Sequence, residues 1–223
     1  MKSMTNEKDL QTLERFIRER RSFRKWEKGD VSDDLLKKAV ELATWAPNGG
    51  NYQGWRFVVV KNRQVMEMMA NAVQSVIDKI ASWPEAKAWP DDIARYQKNG
   101  SFFRNAGAYV AVFVSQYQSP MDRVLKTREA FDPEARQIID FRKSAPTSVQ
   151  SAAAAVTTML LALHQMGLGA IWLAAPLLAK KELETILKMD GNYNLVCLVA
   201  VGQRGETPQR DRKPVDQVLE FVR

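Results

Sequence analysis

The chain has one cysteine and one histidine in 223 residues. With only Cys197 there can be no internal disulfide. With only His164, a zinc site or a Cys/His nucleophile pair is close to excluded. No apolar run approaches the ~20 residues of a membrane span. The first residues, Met1 to Asp9, are polar and lack the apolar stretch of a secretory signal. No Gly-x-Gly-x-x-Gly separates a strand from a helix. Gly167-Leu168-Gly169 stands between a helix and a strand, the wrong order for a dinucleotide turn. No Walker loop, internal repeat or low-complexity tract occurs. The expectation is a cytoplasmic protein without membrane attachment. Cys197, in the apolar run Leu195–Val201, reads as a buried inert thiol. His164, on a helix, reads as a structural histidine.

Hydrophobic residues make up 45% and charged residues 26%, as in a globular domain, and the net charge is +7. Nucleic acid, an anionic cofactor or an acidic substrate could each use that excess, as could a plain basic surface. Positive charge is densest between Arg15 and Lys28.

Periodicity divides the chain into elements. Asp9–Arg20 places Leu10, Leu13, Phe16 and Ile17 at helical spacing. Ser32 reads as an N-cap, with Asp33 and Asp34 in the first turn of a helix to Trp45. That helix buries Leu35, Leu36, Ala39, Val40 and Ala43. Arg56–Val60 is a strand. Gln64–Ile80 is a helix with Val65, Met68, Met69, Ala72, Val76 and Ile80 inward. Residues 83–104 carry prolines and aromatics without a clean period. They read either as a lid or as a helical excursion packing its own aromatics. Ala108–Val114 is a strand, and Ser119–Ser144 is partly helical. Ala145–Met166 is a long apolar helix ended by Gly167. Gly169–Leu173 and Leu195–Gly202 are strands flanking a helix over Ala179–Met189. A basic tail, 203–223, ends in Val215, Val218, Leu219, Phe221 and Val222, which need a surface to dock on.

Three segments carry chemistry. Arg20, Arg21, Ser22 and Arg24 put guanidiniums and a hydroxyl on one turn, suited to phosphate and carbonyl oxygens, although a solvated charge run has the same composition. Pro47, Asn48, Asn51 and Gln53 belong to a glycine-rich turn entering a strand. Its amides offer donors and acceptors together, which suits a pyrimidine-like ring edge. Arg210 and Arg212 form a second basic cluster past the last strand.

The order Arg-Arg-Ser-x-Arg, Ala-Pro-x-x-x-Asn-x-Gln-x-Trp, an Ala-rich helix closing on Gly-Leu-Gly, then a Val-rich strand with a basic-Pro tail resembles the nitroreductase family, from about Leu13 to Val218. The resemblance implies an α+β fold, a mixed central β-sheet flanked by helices, as one domain over 9–223 in an intertwined homodimer. The tail is expected on the partner's sheet. The resemblance implies FMN at the dimer interface. Arg20 and Ser22 would meet phosphate and ribityl oxygens, and Arg24 the N1 and O2 edge. Arg210 and Arg212 would join at the phosphate. Asn51 and Gln53 would meet the ring, and Trp172, Leu173 and Ala174 would run beside it. The chain departs from the family at Gly54, where proline is frequent, at Ala174-Ala175, where Glu-Gly is frequent, and at Asn48-Gly49-Gly50, where a Ser-rich turn is commoner.

The implied activity is ping-pong transfer of hydride from NADH or NADPH to a nitroaromatic, quinone or similar small acceptor, without a dedicated protein acid or base. Relatives of that fold include reductive dehalogenases, flavin-destroying enzymes and enone reductases. A different class, a nucleic-acid-binding protein, would need the aromatics of Arg21–Trp26 on a basic surface for base stacking. The expectation is no nucleic-acid partner.

Overall fold

A computed structural model describes residues 7–223; residues 1–6, most of the segment judged not to be a secretory signal, lie outside that description. Each predicted helix and strand is present, with shifted ends. α1 spans Glu7–Glu19 and ends in the basic strap 20–25. α2 spans Asp33–Ala43, and Ser32 Oγ accepts the Asp34 N–H at 3.2 Å as the expected cap. α3 spans Arg63–Ala81, capped by Asn62, whose Oδ1 accepts the Val65 N–H at 3.1 Å.

The buried face of α3 differs from the expected one. Met66, Met69, Ala70, Val73 and Ile77 are buried, while Met68 is exposed. The face is turned by one residue, about 100°. The apolar stripe of α3 is wider than the face it buries, so periodicity alone does not locate its centre. On α7, Thr147–Gln165, Ala152, Ala155, Val156, Met159, Leu160 and Leu163 are buried, and Ala153 and Ala154 are half-buried. Gly167 ends that helix at φ +81°, a left-handed conformation that glycine adopts without a Cβ penalty.

The sheet contains β1 (Trp26–Glu27), β2 (Trp55–Val60), β3 (Ala108–Ser115), β4 (Leu168–Leu173) and β5 (Tyr193–Arg204). β5 lies between β3 and β4, and β2 pairs outside β3. The two-residue β1 pairs with Gln203 and Arg204, where β5 runs on past β3. These ladders are antiparallel, and the parallel component is a single bridge between Ser22 and Ala170. β5 continues through Arg204, so the tail begins two residues later than expected. One core lies between the sheet and α2 with α7. The other lies between the sheet and α3 with α8 (Lys180–Ile186).

The segment after α3 is an ordered helical excursion. A short 3-10 turn precedes α4, Pro90–Asn99, and Phe103 plugs the second core. Trp83, Trp89 and Tyr96 stay exposed. Between β3 and α7, α5 (Pro120–Arg128) and α6 (Pro133–Lys143) pack on each other.

Candidate functional site

The strap 20–25 runs extended along β4. The Phe23 N–H donates to the Ala170 carbonyl at 3.1 Å. Phe23 is buried against Gly169, where a Cβ would lie 2.8 Å from its Cγ, so only glycine admits the ring. Side chains alternate along an extended chain. With Phe23 inward, Ser22 is left half-buried and Arg24 exposed. Trp26 Nε1 donates to the Gly169 carbonyl at 2.9 Å. Beyond β5, Glu206 Oε1 accepts the N–H groups of both Arg24 and Lys25, the latter at 3.1 Å. These contacts pin the strap to the ends of β4 and β5.

Arg20 is half-buried. Burial lowers its pKa from the ordinary guanidinium value, and the charges of Arg212 and Arg21 lower it further. The tail therefore brings Arg212 close enough to repel Arg20. Among the described residues, no carboxylate pairs with Arg20, Arg24, Arg210 or Arg212. Like charges gathered at a partly desolvated position, with the Glu206 carboxylate held on backbone N–H groups and none on the guanidiniums, are unfavourable until an anion joins them. A phosphate fits that donor set. Arg21 is different. Its Nη1 turns back to the carbonyls of Arg18 and Arg20, the latter at 2.9 Å, and caps the end of α1.

The amide turn is a separate construction. Gly50, Asn51 and Gln53 have φ of +59°, +51° and +51°. Left-handed backbone at two non-glycine residues costs on the order of 1 kcal/mol each. The Asn48 side chain accepts the Gln53 N–H at 2.9 Å and closes the loop, and Gln53 Nε2 donates to Asn51 Oδ1 at 3.2 Å. Pro47 is exposed at its start. The Gly49 N–H donates to Ser151 Oγ on α7 at 3.2 Å. Tyr52 and Tyr117 pack together with ring centroids 5.3 Å apart. At the end of β4, Trp172 is exposed, Leu173 is buried in the second core and Ala174 is exposed. The Leu173 side chain is thus committed to packing.

The two constructions do not meet within one chain. The amide turn touches Ser151 in the first turns of α7. The strap lies by His164 in the last turn, where Arg20 and Arg21 act on the imidazole. Ser151 to His164 spans about 20 Å of helix axis. Arg20, Ser22, Arg24 and Arg212 are together, while Asn48, Asn51 and Gln53 sit at the opposite end.

The sequence model described as "Nitroreductase family" matches residues 17–203. The chain belongs to the nitroreductase family. It is similar to a BluB-like flavoprotein from Clostridium difficile 630, at 29% identity and a TM-score of 0.83, over 95% of this chain and 99% of that one. It resembles in fold a nitroreductase with bound FMN from Desulfitobacterium hafniense DCB-2, at 21% identity and a TM-score of 0.70, over 94% and 97% of the two chains. It is also similar to the iodotyrosine deiodinase of Hydra vulgaris, 23% identical over 205 residues, 90% of this chain and 69% of that protein.

The family match ends at residue 203, before Arg210 and Arg212. Of these two, Arg212 is the one whose charge acts on Arg20. Sequence reasoning did not single out several residues that shape the strap and the amide turn: Phe23, Glu206, Ser151, Tyr52 and Tyr117. The clustered glycines at 169, 202 and 205 were a usable signal. A Cβ at each would come within 2.8 Å of Phe23 or Trp26. The aromatics that suggested base stacking are spent on packing: Phe23 is buried, and Trp26 stacks on Phe102 at 6.1 Å with a 3° interplanar angle.

Proposed function

We propose that the chain acts as a homodimeric FMN oxidoreductase that passes hydride from NADH or NADPH to a nitroaromatic, quinone or similar small acceptor. The observation that carries the reading is the separation of the strap from the amide turn along α7. A two-fold partner, packed with its α7 antiparallel, would set the amide turn of one protomer beside the strap of the other. Uncovered apolar side chains agree with such a partner: Leu10, Leu13 and Ile17 on α1, and Val215, Val218, Phe221 and Val222 in the tail.

When bound, FMN supplies the hydride chemistry that amino-acid side chains lack. Arg20 and Arg212 would hold its phosphate, with Ser22 on the adjoining oxygens. Arg210, on the same tail, would add charge at the rim. Arg24 would present a cation to negative charge gathering on the ring. Asn51 and Gln53 of the partner would offer matched donors and acceptors. The one cysteine offers no reactive thiolate: Cys197 is buried, which pushes its thiol up to about 12. NAD(P)H and acceptor would occupy one cleft in turn, in the cytoplasm.

The similarity to an iodotyrosine deiodinase favours a second reading, reductive dehalogenation on the same scaffold. Purified protein should be yellow and release about one FMN per chain on heating. Anaerobic reduction by NADH or NADPH, followed by mixing with a nitroaromatic, a quinone or 3-iodotyrosine, separates the readings by which acceptor reoxidises it. A colourless protein that FMN cannot reconstitute refutes both.

A further inference from the structure

Arg204, the last residue of β5, belongs to none of the motifs. Its Nη2 donates to the His164 carbonyl at 2.5 Å and lies 3.0 Å from His164 Nδ1. Its Nε donates to the Leu168 carbonyl at 3.3 Å. The guanidinium lies over the Phe23 ring, 5.6 Å from the centroid. One side chain thus joins the end of α7, the turn into β4 and the inward residue of the strap. Phe23 stands between Ser22 and Arg24, so its seat sets where both of them aim.

We propose that Arg204 is a positioning residue of the flavin site, clamping the strap through Phe23 and holding His164 in its neutral form behind it. The inference rests on the flavin reading above. Arginine only donates hydrogen bonds, so His164 Nδ1 must accept, and the imidazole carries its proton on Nε2. Protonating Nδ1 would set two donors against each other. The surroundings agree in direction. Burial lowers the His164 pKa, Arg204 on β5 and Arg20 and Arg21 on the strap lower it further, and only Glu19 on α1 raises it. Arg204 commits its Nε and Nη2 donors to β4 and α7, which fixes the guanidinium behind the strap; its role in this proposal is to steady the strap and not to hold the phosphate.

His164 is the only histidine in the chain, so its imidazole gives one resolved NMR titration. In flavin-free protein that titration should midpoint below the ordinary histidine value. Arg204→Ala should move it up, because the bond to the neutral form and the repulsive charge are both removed. In parallel, Arg204→Ala should weaken FMN and riboflavin alike, each about tenfold, since Ser22 and Arg24, which would meet the parts common to both flavins, lose their aim. Arg204→Lys keeps a charge and an aliphatic stem but loses the fork. It should fold even where the alanine variant does not, and should show the same loss for both flavins.

An unmoved His164 titration overturns the proposal, as do unchanged affinities for both ligands. Loss of FMN affinity with riboflavin affinity kept also overturns it, because Arg204 would then be a direct phosphate ligand. Wild-type protein that binds neither flavin removes the flavin reading and this inference with it. Tight wild-type binding that is insensitive at Arg204 removes this inference alone.

Discussion

Removing Pro214–Arg223 tests the dimer reading most directly. In the single chain, Val215, Val218, Leu219, Phe221 and Val222 are 61%, 69%, 49%, 70% and 96% exposed. They follow a basic linker and find no surface on their own subunit. Full burial of an aliphatic or aromatic side chain is worth about 1.5–3 kcal/mol, so covering these five would contribute roughly 5–10 kcal/mol per tail. Ordering the five docking residues offsets about 5 kcal/mol of that, at about 1 kcal/mol each. A surplus of about 2–4 kcal/mol over two tails corresponds to a dimer weakened roughly thirtyfold to a thousandfold by the deletion. Light scattering across a dilution series reads the association, and visible absorbance of the same fractions reads bound flavin. The truncated protein should dissociate at concentrations where the full chain stays dimeric, and flavin should be lost in step. A truncated chain that is a yellow, active monomer would show that one subunit holds the whole site. A truncated dimer of undiminished affinity would show that the tail docks nowhere.

Other substitutions probe the site piece by piece. Arg20→Ala should weaken FMN binding about ten- to a hundredfold, while Arg24→Ala should slow flavin reduction more than it weakens binding; equal effects of both variants on titration and stopped-flow reduction would refute separate roles. Gly169→Ala puts a Cβ 2.8 Å from Phe23 Cγ. It should cost about 1–3 kcal/mol in thermal or urea unfolding and loosen flavin binding, whereas Gly191→Ala, with nothing within 4 Å of its Cβ, serves as the neutral control. Cys197 should resist thiol reagents at pH 8 in the native protein and react fully in denaturant. Burial raises its folded pKa to about 12. Its contribution to stability is therefore complete below the unfolded value near 8.5 and is lost as pH rises above it, by up to about 1.4 kcal/mol per pH unit. Urea melts at pH 8 and 10 should show wild type losing more than Cys197→Ala.

The elements were legible because each rests on local chemistry. Ser32 and Asn62 cap their helices through their own neighbours' N–H groups. Gly167 can take the positive φ that ends α7. The run Ala108–Val114 is hydrophobic throughout because both faces of β3 are covered. The basic and amide-rich motifs were legible as residue types, and their order along the chain pointed to the family. What sequence could not show was which groups share a space. The buried face of α3 turns by one residue because the sheet, and not the helix, chooses among nearly equivalent apolar positions. Arg21 turns back to cap α1 and Arg212 comes to Arg20, although both belong to basic clusters of similar composition. Glu206 reaches the strap from 182 positions away. Only the packing of α7 along the sheet separates the strap from the amide turn, because the length of a rigid helix sets the distance between whatever its two ends touch. In the homodimer proposed above, the partner's amide turn would bridge that distance.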